Sequence, residues 1–241
     1  MITYHGATDV GNVRTNNEDV FFISEACRYC LVADGMGGAA AGEVASQIFA
    51  DTAKAVFAGH DGISEEDTIA RVQTAFKLAN EKILEHVGRN PYDQGMGCTA
   101  ELLAFSRERF IIGHVGDSRT YRLRNHNLKQ LTKDHSLVQG QLDQGLITPQ
   151  EARRHTMRNV ILRAVGVNDS VAPDILKGKK NPGDLFLLCS DGLSDMVEES
   201  DVLALLSAEG NLSIKTEALI QLAKRAGGKD NVTVVLAAIA G

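Results

Sequence analysis

Four strongly apolar runs in this chain each border an aspartate with a small residue beside it. They are LVADGMGG with Asp34, IIGHVGDSR with Asp117, LFLLCSDG with Asp191 and GGKDNVTVV with Asp230. In the first three the apolar run leads into the Asp; in the fourth it follows. Short apolar runs bounded by turn residues read as buried strands. Buried strands in packed sheets bring their ends together at one edge of the core, so these aspartates are expected to converge. Close carboxylates repel one another and are costly to desolvate unless cations neutralise them. A set of oxygen ligands favours hard ions such as Mg²⁺, Ca²⁺ or Mn²⁺ over zinc. Each Asp taken singly reads as a turn residue satisfying loop amides. The fourfold repetition is what favours a hard-metal site. Glycine beside Asp34 lets the backbone approach closely, so the Gly35 carbonyl can join the ligands.

The patterning around these runs sets the architecture. Strand-like runs cover Thr3 to Thr8, Val20 to Ser24 and Tyr29 to Ala33. Two helical patterns follow. Residues 42–57 place Val44, Ile48, Thr52 and Val56 on one face. Residues 65–87 align Ile69, Val72, Phe76, Ala79, Ile83 and Val87, with Ser64 as N-cap and Gly88 as the stop. Strands return at Thr99 to Phe105, Arg109 to Val115 and Arg119 to Leu123, with a hairpin turn at Asn125–Asn127 leading into Leu128 to Leu131. A polar helical stretch at 135–155 is broken around Gly145 and Pro149. Strands at 171–177 and 184–189, helices at 200–207 and 213–226, and the strand VTVVLAAI complete the chain. Paired helices between groups of strands do not suit a repeating βαβ plan. They suit an α+β fold of antiparallel sheets with helices outside, a mixed α/β sheet being the alternative.

A chain of 241 residues with 44% hydrophobic content has material for one sizeable core, and no linker or repeat divides it. The expectation is a single domain over residues 1–241. The net charge of −6, without a Lys/Arg cluster, argues against nucleic acid as a partner. The N-terminal MITYHGATDV lacks a signal-peptide pattern, and no run approaches the roughly 18 apolar residues of a membrane span. A cytoplasmic protein with no membrane attachment is expected. Cys27 and Cys30 form a C-x-x-C pair, but three residues along a strand they face opposite ways, and no second pair completes a zinc site. With Cys98 and Cys189 they read as reduced, inert thiols. Near the start, DVGNVRTNNED holds Arg14, the only Lys or Arg among the first 27 residues, together with Glu18 and Asp19. An arginine beside a carboxylate–metal site can clamp a phosphate with its planar fork, although position alone favours a solvated surface ion pair.

The ordered series DVGNVRTNNED, LVADGMGGAAAGEVAS, GCTA, VGDSR, LTKDHS, RNVILRAVG, GDLFLLCSDGLSD and GGKDNVTVV resembles the metal-dependent type 2C protein phosphatases (the PPM family) in their compact bacterial form, over about Thr8 to Ile239. The resemblance implies a four-layer αββα sandwich, two antiparallel β-sheets flanked by helix pairs. It implies a serine/threonine phosphatase holding two to three Mn²⁺ or Mg²⁺ ions, acting by direct attack of a metal-bridging hydroxide. Asp34 would bridge two ions with the Gly35 carbonyl on one, and Asp191 and Asp230 would hold the other. Asp117 with Asp191 would help hold a third. Arg14 would bind the substrate phosphate, and Glu18 and Asp19 would hydrogen-bond metal-bound waters. Residues 135–158 match a flap beside the active site, in which Arg153, Arg154, His155 and Arg158 either recruit phosphopeptide or form a solvated face. The partners implied are phosphorylated proteins, substrates of a bacterial serine/threonine kinase, met by a monomer.

One position departs from the pattern: Ala39 stands where many bacterial relatives carry a histidine suggested as proton donor to the leaving group. His60, His114, His135 and His155 are substitutes by residue type only. Two other functions stay open on the sequence: a catalytically silent phosphoprotein-binding domain, and a hydrolase of small phosphate esters.

Overall fold

The computed structural model describes Met1–Gly241 apart from the side chains of residues 38–40. Ten strands and seven α-helices follow one another along it. Strands β1 (Ile2–Asp9), β2 (Asp19–Ser24) and β3 (Tyr29–Met36) lead into helices α1 (Gly38–Phe57) and α2 (Glu65–Arg89). Next come β4 (Gly97–Phe105), β5 (Arg109–Val115), β6 (Arg119–Arg124) and β7 (Asn127–Gln130), then short helices α3 (Leu137–Asp143) and α4 (Pro149–Arg154). The chain continues through β8 (Asp174–Lys179), β9 (Leu185–Cys189), α5 (Asp191–Ser194), α6 (Glu199–Ser207), α7 (Leu212–Arg225) and β10 (Val232–Ile239).

The strands form two five-stranded sheets, ordered β1-β10-β9-β6-β7 and β2-β3-β4-β5-β8, with every pairing antiparallel. Helices α1 and α2 cover the second sheet, and α6 and α7 cover the first. The result is helix layer, sheet, sheet, helix layer, as the α+β sandwich requires, and the mixed-sheet alternative falls. No helix among the described residues is long and apolar enough to cross a membrane.

Side-chain alternation explains the layers. In β3, Tyr29, Leu31 and Ala33 point into the core under α1 and α2, while Cys30 and Val32 point between the sheets. In β9, Leu185, Leu187 and Cys189 face α6 and α7, while Phe186 and Leu188 face the other sheet. Phe105, Phe110 and Phe186 stack in this middle layer, with centroids 5.6 and 5.0 Å apart. Each buried ring contributes roughly 1.5–3 kcal/mol by removal from water. Along the same layer the side chains turn polar: Thr99, Glu101, His114, Ser190 and Thr233 are all buried. The middle layer is thus oily at one end and acidic at the other, and the site lies at the acidic end.

Several local expectations need correction. In α1 the fully buried apolar residues are Ala45, Phe49, Ala50, Ala53 and Phe57; of the expected stripe Thr52 is buried, while Val44, Ile48 and Val56 pack against the same core only partly buried. Small alanines let the helix approach the sheet closely, a criterion that residue size hides from a hydrophobicity pattern. Gly88 does not stop α2; the helix runs to Arg89, and the Asn90 N–H closes it on the His86 and Val87 carbonyls. One exposed-face glycine costs only about 1 kcal/mol, which a helix this well packed absorbs. Ser64 does cap α2, accepting from the Asp67 N–H. Strand β8 starts at Asp174 rather than at residue 171, because Pro173 has no N–H to give to a ladder. The hairpin turn is as expected, with Asn125 and His126 both at positive φ (51° and 58°). Cys27 sits in the turn before β3 and Cys30 is buried between the sheets.

Candidate active site

Strand register places the acids. Asp34 follows Cys30 and Val32 in parity, so it belongs to the layer between the sheets. It lies within β3, paired with Asp19 on one side and Thr99 on the other. Asp117 sits in the turn between β5 and β6. Asp191 opens α5 with one residue between it and β9, and Asp230 lies with one residue between it and β10. β9 and β10 are neighbours, so Asp191 and Asp230 come to the same edge of that sheet.

The electrostatics report the convergence. Burial, followed by the charges of Asp19, Asp191, Asp117 and Asp230, pushes the Asp34 carboxyl far above the ordinary aspartate range. Burial, then Asp117, Asp195, Asp230 and Asp19, does the same to Asp191. Asp117 is raised to about 7, by burial first and then by Asp134 and Asp195. Asp19 is raised to about 6, by burial above all. Among the described residues no three acidic, His or Cys side chains close into a ready-made cage.

Two oxygens show that the acids fit cations. Asp117 Oδ1 and Asp19 Oδ1 are buried without a hydrogen-bond donor. Buried acceptors of this kind ordinarily find a partner, and each costs on the order of 1–3 kcal/mol when left alone. The other Asp19 oxygen accepts from Ser190 Oγ at 2.8 Å, and Ser190 Oγ accepts from the Thr233 N–H at 3.0 Å.

A cleft of about 870 Å³ opens over this region, lined by Arg14, Glu18, Asp34, Gly35, Asp191 and Asp230 among others. Arg14 donates to Asp230 Oδ2 at 2.8 Å, and half of its side chain is exposed. Asp230 fastens the guanidinium and holds its pKa above the usual arginine value. Gly35 is fixed by its N–H to the Glu18 carbonyl at 3.1 Å. A Cβ on Gly35 would strike the Gly42 carbonyl, so only glycine fits between those two segments. Burial raises the Glu18 carboxyl, whose side chain lies against Gly42.

A second cavity of about 820 Å³ adjoins the first, sharing Asp191 and Asn159 and including Asp117. Its far wall is the α3–α4 segment. Arg153 is ion-paired to Glu198, and Arg158 donates to Asp195 Oδ2 at 3.0 Å. Arg154 also lines it. His155 accepts from the Met157 N–H. The structure therefore brings together Arg14, Glu18, Asp19, Asp34, Gly35, Asp117, Asp191 and Asp230, and sets the basic residues of 153–158 beside them. It does not bring the other histidines in. His60 is tied to Asp67 and Thr68, His114 is buried against Glu101, and His135 lies between Arg163 and Asp174. Among the described residues no histidine lines either cavity. The side chain of Ala39 lies outside the described residues.

Sequence reasoning missed Ser190, Asn231 and the acids Asp134 and Asp195. Asn231 stood inside GGKDNVTVV, where only the neighbouring Asp230 drew attention. Asp134 and Asp195 follow no apolar run and are recruited by loops.

Comparison with known proteins agrees with this geometry. The family model described as protein phosphatase 2C matches residues 12–224. The serine/threonine protein phosphatase PstP of Mycobacterium tuberculosis is 40% identical over 237 residues, covering 98% of this chain but 45% of PstP, so the chain spans about half the length of that relative. Protein phosphatase PhpP of Streptococcus pneumoniae is 37% identical over 236 residues, covering 95% of this chain and 94% of PhpP. Among solved structures, the catalytic domain of PstP in complex with two manganese ions superposes with a TM-score of 0.91 at 38% identity, over 100% of this chain and 99% of that one. The phosphatase Stp1 from Staphylococcus aureus gives 0.93 at 35% identity, over 100% and 96%. A match of this extent, joined to buried acids converging beside an arginine-lined cleft, establishes that the chain belongs to the protein phosphatase 2C family.

Proposed function

We propose that the chain is a metal-dependent serine/threonine protein phosphatase that hydrolyses phosphoserine and phosphothreonine. The observation that carries this reading is the pair of donorless buried oxygens on Asp117 and Asp19, set among further converging aspartates beneath an open cleft with Arg14 at its rim. A binding module has no use for acids held at such electrostatic cost.

Asp34, Asp191, Asp230 and the Gly35 carbonyl would hold two Mn²⁺ or Mg²⁺ ions, and Asp117 with Asp191 a third. When bound, such ions supply Lewis acidity and a water of lowered pKa as nucleophile. The chain's own groups do the rest. Arg14, anchored at one end of its fork by Asp230, offers its remaining N–H groups to the phosphoryl oxygens. Those donors oppose charge that grows as the bond to the serine or threonine oxygen breaks. Glu18 and Asp19 accept from water in the site, Asp19 being held in place by Ser190. No cysteine takes part: Cys30, Cys98 and Cys189 are buried with their thiols pushed up, Cys189 to about 12. Residues 135–158 form a flap whose cavity beside the site receives the phosphopeptide, with Arg153, Arg154 and Arg158 near its charge. Its substrates would be phosphorylated proteins, in keeping with the bacterial phosphatases it is similar to; a cytoplasmic monomer opposing a bacterial serine/threonine kinase is the setting this reading proposes.

The test is phosphate release from a phosphothreonine peptide with Mn²⁺, with Mg²⁺ and with chelator, run beside Asp191→Asn. Release should require the metal, and the variant should lose at least about a hundredfold, as expected for loss of a charged ligand. Folded protein that releases nothing with either metal would overturn the reading. Release from small phosphate esters alone would replace the substrate class.

A further inference from the structure

The loop of residues 10–18 between β1 and β2 carries Arg14 to the cleft, and residues 12–16 of it are exposed. A nine-residue segment with no regular structure and an exposed middle does not by itself hold a guanidinium in one place; ordering each residue costs about 1–2 kcal/mol of backbone entropy. Something must supply the loop with fixed points.

Three of them come from one buried side chain. Asn231 is 6% exposed. Its Oδ1 accepts from the Glu18 N–H at 2.8 Å, and its Nδ2 donates to the Val10 carbonyl at 3.1 Å and the Asn16 carbonyl at 2.9 Å. Both ends of the loop and its far limb thus meet at one amide. The Asn231 backbone N–H meanwhile donates to Asp230 Oδ1 at 2.9 Å, leaving Asp230 Oδ2 for Arg14 at 2.8 Å. Other anchors flank it: the Asn12 N–H donates to the Gly228 carbonyl at 2.7 Å and its side chain to the Lys224 and Gly227 carbonyls at 2.8 and 3.2 Å, Asn17 donates to Thr8 Oγ1 at 2.9 Å, and Ser46 donates to the Glu18 carbonyl at 2.6 Å. Gly11, at φ 81°, passes so close to the Asp230 carbonyl that a Cβ there would collide.

We propose that Asn231 is a positioning residue for phosphate binding: its amide ties the 10–18 loop closed and thereby holds the Arg14 guanidinium over the cleft. This rests on the reading of Arg14 as the phosphate clamp. The chemistry demands asparagine. One end of the side chain must accept and the other must donate twice, whereas aspartate would set a bare carboxylate oxygen against the Val10 and Asn16 carbonyls.

The experiment compares Asn231→Ala, Asn231→Asp, Arg14→Ala and the double variant Arg14→Ala/Asn231→Ala. It reads kcat and KM on a phosphothreonine peptide, the inhibition constant of inorganic phosphate, and the Mn²⁺ concentration for half-activation. Asn231→Ala and Asn231→Asp should each raise KM and the phosphate inhibition constant by about tenfold, the scale of one charge-assisted hydrogen bond displaced. In the Arg14→Ala background, Asn231→Ala should add less than about twofold, because the two act through one contact. A full second effect in that background, or a change confined to kcat and the Mn²⁺ requirement, overturns the inference and leaves the role of Arg14 standing. If Arg14→Ala itself leaves KM and phosphate inhibition unmoved, the clamp assignment fails and the inference with it. Should Asn231→Ala not fold, Asn12→Ala loosens the same loop from an exposed position. A rise in KM there supports the inference, and an unchanged KM overturns it.

Discussion

Replacing Asp117 by Asn should stabilise this protein when metal is withheld at alkaline pH, while damaging its response to metal. The folded-state pKa of Asp117 is raised from the ordinary 3.8 to about 7, by burial and by Asp134 and Asp195. A group raised in this way adds stability below its unfolded pKa and loses it as pH climbs through its folded pKa. Across that window the rise corresponds to about 4 kcal/mol, present in full by about pH 8. Asparagine carries no charge and escapes the penalty, but its amide inherits the same donorless pocket around Oδ1. Roughly half the gain should therefore survive, about 2 kcal/mol, or on the order of 5 °C in Tm for a chain of this size. The assay is thermal unfolding of parent and Asp117→Asn in chelator at pH 8 and pH 5, repeated with excess Mn²⁺. In chelator the variant should melt higher at pH 8, and most of the difference should be gone at pH 5, where the parent's carboxyl is already protonated. In Mn²⁺ the parent should gain more, by about 2.7 kcal/mol at a hundredfold excess over Kd for a site the variant lacks. A variant that melts at or below the parent at pH 8 in chelator, or an advantage that does not change with pH, would refute the picture of Asp117 as a buried charge awaiting a cation.

Other expectations follow from the same structure. Ellman's reagent should titrate Cys27 alone in the native protein and all four cysteines in guanidinium, since Cys30, Cys98 and Cys189 are buried with raised pKa values; rapid native reaction of a second thiol would contradict it. Asn80 bridges α2 to the segment before β8, accepting from the Gly166 N–H at 2.7 Å and donating to the Asn168 carbonyl at 2.9 Å. Asn80→Ala should cost about 2 kcal/mol in urea unfolding by orphaning those groups, and a loss below a few tenths would show that water replaces the side chain.

The acids most exposed to sequence reasoning were those at the ends of apolar runs. Asp117, Asp191 and Asp230 announce themselves because each lies within two residues of a strand end, and Asp34 because it interrupts an apolar run, although β3 continues past it to Met36. Helix α2 was likewise open to reading, because its apolar spacing and its Ser64 cap are local facts. The α1 stripe was not, since whether Ala45 and Ala53 or Val44 and Ile48 face the sheet depends on how closely the two elements approach. Neither His114 nor His135 could be excluded from the cleft before the antiparallel register of β4 and β5 set His114 opposite Glu101.

Periodicity and strand-end chemistry, which depend on neighbours a few residues away, were enough to supply the element order and the candidate metal-binding acids, while the role of Arg14 came from the resemblance to a known family. The contacts that complete the site join residues more than 170 positions apart: Ser190 to Asp19, Asp230 to Arg14, and Asn231 to Val10, Asn16 and Glu18. Hydrogen bonds of that span exist only once β10 lies between β1 and β9, so the position of Arg14 is a property of the sheet and not of the segment that carries it.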